Sequence, residues 1–285
     1  MKTLTQTPYQ QPLLEMLQRP LPDKRAIGFW WLGQAGFAIK AGEAVIMIDP
    51  YLSDSLAQKY RGTEFSHVRM MPSPILPEEV SRVDFVLGTH LHGDHIDPGT
   101  IPIIAQRHPQ CRFVTPKAVS HRVVELIPEA RTLPINAGER ITLSETISVE
   151  AIPSAHEELK INERGEHEFL GYLLTIGDVT IYHSGDCTPY PELEQHLRNH
   201  KIDLALLPVN GRDAYRLSRN ILGNFTLAEA VAICQNADIP LLLAHHFGLF
   251  NFNTINVTDA EREIAALRGN RQYELVKAGV TYLLS

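Results

Sequence analysis

One seven-residue segment constrains this chain more than any other: Thr89-His90-Leu91-His92-Gly93-Asp94-His95, directly after the apolar run VDFVLG. Side chains alternate along an extended segment, which puts His90 and His92 on the same side. Gly93 then lets the chain turn, so that Asp94 and His95 present neighbouring donors to a second point. Imidazoles and carboxylates at a strand end suit Zn²⁺, Mn²⁺ or Fe²⁺ rather than Ca²⁺. The competing reading is a solvated histidine cluster, and three His with one Asp at these offsets are too dense for chance to favour it.

Composition limits what can surround such a cluster. The chain has 285 residues with 44% hydrophobic and 21% charged, which excludes a disordered or fibrous class. Its net charge of −7 disfavours a nucleic-acid backbone as the main partner. Three cysteines, Cys111, Cys187 and Cys234, form no CxxC pair and read as reduced cytosolic thiols. Prolines and Glu15 interrupt the first residues, so no signal peptide is expected. No run of about 18 apolar residues predicts a membrane span. The expected setting is the cytoplasm, away from membranes.

No linker or low-complexity stretch marks a boundary, so a single domain over 1–285 is expected. Pro8, Pro12, Pro20 and Pro22 mark the first 25 residues as an arm along the surface. Apolar runs predict strands over 29–32, 36–40, 44–48, 85–88, 112–115, 147–152, 171–176, 179–183, 204–208 and 241–244. Helices are expected over 98–106, 117–126, 189–200, 226–236 and 259–267, with Thr226 and Asp259 as N-caps. Two pairs of strands meet at hairpin turns, AGEA and IGDV, where Gly supplies the positive φ. A coarse repeat emerges. Each half has a hairpin closing on an Asp (Asp49, Asp186) and then a strand entered through an Asp (Asp84, Asp203).

Further candidate ligands follow other strands: His156 in IPSAHEE, Asp186 in YHSGD, and His245 and His246 in AHHFG. Open sheets place ligand sites at such strand ends. The ordered pattern HxHxDH, AHE, GD and a late HxG resembles the metallo-β-lactamase-fold hydrolases. The flanking segments FWWLGQAGFAI, IDPYLSDS, THLHGDHIDPGTIP, PSAHEE, FLGY, IYHSGDCTPY, LLPVNGRDAYR and GNFTLAEA resemble the UlaG-like L-ascorbate-6-phosphate lactonase branch, from about Phe29 to Asn256. The resemblance implies a four-layer αββα sandwich of two pseudo-repeated halves.

By the same resemblance, His90, His92 and His156 hold one divalent ion and Asp94, His95 and His246 a second, with Asp186 bridging. His246 is preferred to His245 because HFG matches the family's His-aromatic-Gly pattern, and His245 stays open. One or two transition-metal ions are implied, Mn²⁺ or Zn²⁺ with Fe²⁺ also compatible. Asp94 would guide the proton of the attacking water. Metal-bound hydroxide would then open a sugar lactone, L-ascorbate 6-phosphate giving 3-keto-L-gulonate 6-phosphate. A metal-dependent phosphodiesterase of nuclease or phospholipase D type is the alternative for the same residues. Where the family usually has GDT, this chain has Asp186-Cys187-Thr188, and Cys187 reads as a buried neighbour more readily than a soft-metal ligand. Arg212 and Arg216 are candidate clamps for a phosphate or carboxylate, against the alternative of surface ion pairs. Gln34, Asp49 and Tyr51 are expected near the ligands. The expected partner is a sugar phosphate or lactone, with a homo-oligomer open.

Overall fold

The two glycine turns organise the chain. In a computed structural model, which describes residues 2–267 and 269–285, Gly42 has φ +56° and Gly177 φ +59°. Each starts a two-residue hairpin, closing Ala41 on Ala44 and Ile176 on Val179. Glycine at the first loop position tolerates that φ and matches the twist of the flanking strands.

The chain divides into two compact units, the first comprising the residues up to Thr115, Val119–Pro134 and Lys277–Ser285. Its strands are β1 (Leu4–Pro8), β2 (Ile27–Gly33), β3 (Gly36–Ala41), β4 (Ala44–Ile48), β5 (Phe85–Leu87), β6 (Arg112–Pro116) and β7 (Thr132–Ile135), with β15 (Val280–Leu284) from the chain's end. They form one sheet in the order β1-β15-β2-β3-β4-β5-β6-β7. β2 and β3 are buried on both faces, which explains their unbroken apolar sequence. Helices α1 (Leu13–Gln18), α3 (Ile101–Arg107) and α4 (Ser120–Val123) bring Leu13, Leu17, Ile104 and Val123 into a core with Trp30, Leu32, Met47 and Phe113. A fourth helix, α2 (Ser55–Lys59), follows β4.

The second unit comprises Pro116–Ala118 and Ile135–Val276. It contributes β8 (Arg140–Thr142), β9 (Ile147–Pro153), β10 (Leu170–Ile176), β11 (Val179–His183), β12 (Leu204–Pro208), β13 (Leu241–His245) and β14 (Gln272–Leu275), in the order β14-β13-β12-β11-β10-β9-β8. Its helices are α5 (Leu193–Arg198), α6 (Ala214–Leu217), α7 (Leu227–Asn236) and α8 (Val257–Ala266).

The repeat read from the sequence recurs in the hydrogen bonds of each unit. Asp84 accepts from the Val45 N–H at 2.8 Å and donates its own N–H to the Val45 carbonyl, fixing β5 beside β4. Asp203 does the same to Thr180, at 2.9 and 2.8 Å, fixing β12 beside β11. Both strand pairs are parallel.

Several local expectations change. The first 25 residues supply edge strand β1, paired to β15, and helix α1, whose Leu13 and Leu17 are buried. The cap of α8 is Asn256, whose side chain accepts from the Asp259 N–H; Asp259 is the third helical residue instead. The expected helix over 117–126 shortens to a 3₁₀ turn and one α-turn. Strands β1, β7, β8, β14 and β15 are additional. Among the described residues no helix is long and apolar enough to cross a membrane.

Candidate metal centre

In the first unit β5 ends at Leu87, and residues 90–95 form bends and a turn rather than extended strand. The strand argument for pairing His90 with His92 therefore does not hold. A turn brings the rings together instead. His90 and His92 have ring centroids 4.6 Å apart, and His90 and His95 3.9 Å. The turn is closed by the His95 and Ile96 N–H groups, which both donate to the His92 carbonyl. His90 and His95 are buried, Asp94 is half-buried and His92 is exposed.

Asp49, held at φ +45° just past β4, organises these rings. Its carboxylate is fully buried and accepts from the Thr89 N–H (2.8 Å), the Thr89 hydroxyl (2.6 Å) and His95 Nδ1 (2.7 Å). His95 therefore carries its proton on Nδ1, leaving Nε2 as the donor atom. Because the Thr89 hydroxyl donates to Asp49, it must accept from His90 Nδ1, 3.0 Å away. One carboxylate thus sets the tautomer of two histidines. Gln34 donates from Nε2 to Asp94 Oδ2 at 3.1 Å, while its own Oε1 is buried with no hydrogen-bond partner. Gln34 stands at φ +48° and its carbonyl accepts from the Trp31 indole N–H. Tyr51 is buried under the Arg69 guanidinium, 5.0 Å from its ring centroid.

In the second unit three strand ends converge. His156 follows β9, Asp186 follows β11 and His246 follows β13, and all three are buried. Asp186 Oδ1 lies 3.1 Å from His246 Nε2, and Oδ2 lies 3.7 Å from His156 Nε2. The loops are tied together: the Ser154 hydroxyl donates to the Asp186 carbonyl, and both the Thr188 N–H and hydroxyl donate to the Ala155 carbonyl. Gly171 on β10 runs so close that a Cβ there would meet the His183 carbonyl oxygen at 3.0 Å. His246 stands at φ +66°, which turns its ring to Asp186. His245 stacks on His183 at 5.1 Å instead, and burial pushes its pKa well below the usual imidazole value. Burial raises the Cys187 thiol to about 11, and it donates to the Thr188 carbonyl, so it stays a neutral thiol.

A metal fits these donors. A neutral imidazole nitrogen facing a buried carboxylate oxygen at 3.1 and 3.7 Å is repelled unless a cation or proton lies between. Two ligands of one tetrahedral zinc, with bonds of about 2.1 Å, stand about 3.4 Å apart, between these two distances. The unsatisfied Gln34 Oε1 adds an acceptor beside Asp94 for a water or substrate hydroxyl.

The candidate clamps are engaged within the protein. Arg212 makes a two-pronged pair with Glu229, 2.7 Å on each arm, and donates to the Asn224 carbonyl. Arg216 pairs with Asp213 at 2.6 Å and donates to the Asn210 carbonyl and Asn253 Oδ1. Thr89 and Ser154, which hold the loops of the candidate ligands, carry no motif of their own in the sequence. The only signal was their place one or two residues before a ligand.

Comparison with known proteins agrees with this chemistry. A family model described as a β-lactamase superfamily domain matches residues 45–247. A UPF0173 metal-dependent hydrolase of Pyrobaculum aerophilum is 30% identical over 182 residues, covering 63% of this chain and 70% of the relative. Among solved structures, a metallo hydrolase of Ignicoccus hospitalis superposes with TM-score 0.64 at 16% identity, covering 90% of this chain and 97% of the other. The metallo-β-lactamase fold protein YhfI of Bacillus subtilis gives 0.63 at 16%, covering 91% and 99%. The mixed α/β fold with two sheets is thus the metallo-β-lactamase fold. The chain belongs to the β-lactamase superfamily, as a metal-dependent hydrolase.

Proposed function

We propose that this hydrolase opens the ring of a sugar lactone. In this reading one or two divalent ions would be held, one by His90, His92 and His156 and the other by Asp94, His95 and His246, with Asp186 serving either. The ions are Mn²⁺, Zn²⁺ or Fe²⁺, and the setting is the cytoplasm. When bound, such ions act as Lewis acids and lower the pKa of water. The chain's own residues do the rest. Asp49 and Thr89 keep the His95 and His90 Nε2 atoms deprotonated. Gln34 anchors Asp94 Oδ2 and so orients the carboxylate that guides the proton of the attacking water. A new C–O bond forms to the carbonyl carbon, the ring C–O bond breaks, and that proton passes to the ring oxygen. The product is a hydroxy acid.

The observation that carries the lactone over a phosphodiester is the engagement of Arg212 by Glu229 and of Arg216 by Asp213. Neither guanidinium is then available to pair with a phosphodiester anion. A lactone carbonyl carries no charge to neutralise. The test is hydrolysis by protein reloaded with Mn²⁺ or Zn²⁺, with L-ascorbate 6-phosphate, L-gulono-1,4-lactone and bis-p-nitrophenyl phosphate as substrates. Lactone opening that chelator abolishes is expected. Rapid cleavage of the phosphodiester with both lactones untouched would overturn the reading.

A further inference from the structure

Directly after the ligand His156, the backbone makes a tight turn centred on Glu157, which stands at φ +75°, with His156 and Glu158 bridged across it. A residue with a Cβ adopts that φ at a cost, and such strain gathers where a side chain must be presented. Glu157, itself exposed, lines an open surface pocket of about 460 Å³ together with buried Thr188 and exposed Pro189, Arg212, Asp213 and Leu217. Thr188 lies two residues past the ligand Asp186. The cavity therefore opens on the loops that carry two of the three ligands of this unit.

Its charges decide what it can hold. Among the described residues that line it Arg212 is the one cation, and both arms of that guanidinium are taken by Glu229. Asp213 is balanced by Arg216. Glu157 makes no hydrogen bond or ion pair within the protein among the described residues, although its charge is felt at Arg212. Glu157 is left as the carboxylate of this wall without a bonded cation, and the guanidinium beside it is already engaged by Glu229. A phosphate dianion would meet repulsion there. Sugar hydroxyls would meet carboxylate acceptors, and the C–H face of a sugar would meet Leu217 and Pro189.

We propose that this cavity is the substrate-hydroxyl subsite, with Glu157 as its positioning residue, and that it selects an uncharged polyhydroxy lactone against its phosphate ester. This rests on the lactone reading above. It replaces the expectation of a phosphate clamp at Arg212 and Arg216 with the opposite role: Glu229 withholds Arg212 from anions.

The experiment compares kcat/KM for L-gulono-1,4-lactone and L-ascorbate 6-phosphate, together with equilibrium binding of the lactone and of inorganic phosphate. It uses metal-loaded wild type, Glu157→Gln and Glu229→Gln. Gln at 229 keeps the Thr226 capping box, since its side chain still accepts from the Thr226 N–H, so the fold is retained. Wild type is expected to favour the uncharged lactone at least tenfold. Glu229→Gln is expected to raise relative phosphate binding about tenfold, the scale of one unit charge a few ångströms away. Glu157→Gln is expected to raise KM for the lactone several-fold with kcat nearly kept. A wild-type preference for the phosphate ester, or a binding ratio unmoved by Glu229→Gln, would overturn the proposal while leaving lactone opening intact. If neither lactone is hydrolysed the lactone reading fails, and the binding ratio still decides this one.

Discussion

Replacing Asp49 by Asn tests whether one buried carboxylate sets the ligand power of two histidines. Asn keeps the size and can still accept from the Thr89 N–H. Its amide, however, presents N–H groups toward Thr89 Oγ1 and His95 Nδ1, where the carboxylate accepted at 2.6 and 2.7 Å. His95 must then accept at Nδ1 and carry its proton on Nε2, the nitrogen that would ligate an ion. The Thr89 hydroxyl, now receiving a proton from Asn, turns its own toward His90 Nδ1 and reverses that tautomer as well. Loss of a partner that orients a metal-binding histidine weakens metal affinity about 10–100-fold. That range is about 1.4–2.7 kcal/mol, close to the roughly 1.5–3 kcal/mol of one hydrogen bond to a charged group. Zn²⁺ competition against a chromophoric chelator measures the affinity, and urea unfolding in EDTA measures the metal-free fold. Thr89→Val, which spares the Asp49–His95 bond, is expected to weaken Zn²⁺ binding less than Asp49→Asn. A Zn²⁺ affinity within twofold of wild type in Asp49→Asn would refute the tautomer argument.

Three other outcomes are expected. His92 is exposed, so His92→Ala should change stability by no more than about 0.5 kcal/mol while lowering lactone hydrolysis at least about a hundredfold; full turnover in that variant removes His92 from the ligand set. Gly171→Ala places a methyl 3.0 Å from the His183 carbonyl and 3.1 Å from Ser184 Cα, and should cost about 1–3 kcal/mol in urea unfolding; an unchanged midpoint denies the close approach. Hydrogen bonding to Arg212 holds the Glu229 carboxyl below its usual range, so the stability from that pair is complete above an unfolded glutamate's pKa of about 4.3 and is lost as the pH falls through the lower folded value. Urea midpoints between pH 3 and 7 should therefore fall less steeply for Glu229→Gln than for wild type, and parallel acid limbs would refute the pairing.

What the sequence revealed follows from how local each feature is. The cluster His90, His92, Asp94 and His95 lies within six residues, so its chemistry is legible without a fold, even though the rings meet through a turn and not a strand. The ten strands with long apolar runs are all present because burial imposes that composition. Strand β1, LTQTP, is exposed along four of its five residues and has no periodicity to read; its partner β15 lies at the other end of the chain. Asn256 and Asp259 are both good caps, and only the backbone decides that Asn256 caps α8. The partner of Arg212 was illegible for a similar reason. Asp213 is its sequence neighbour, whereas Glu229 is 17 residues on and arrives only when α7 is capped by Thr226.

The same strand device therefore serves two different kinds of ligand set. In both units an Asp at the strand entry, Asp84 or Asp203, locks a parallel strand to its hairpin, which fixes where the hairpin's closing Asp must lie. In the first unit that residue, Asp49, orients two histidines held in one short turn. In the second the corresponding residue, Asp186, lies against His156 and His246, which follow β9 and β13. Donors within one turn keep their spacing whatever the sheet does. Donors from three strands keep theirs only while β9, β10, β11, β12 and β13 hold register, which is why Gly171, Ser154 and Thr188 matter to the chemistry without touching it. An ion held at Asp186 would relieve the opposition between that carboxylate and the bare imidazole nitrogens of His156 and His246.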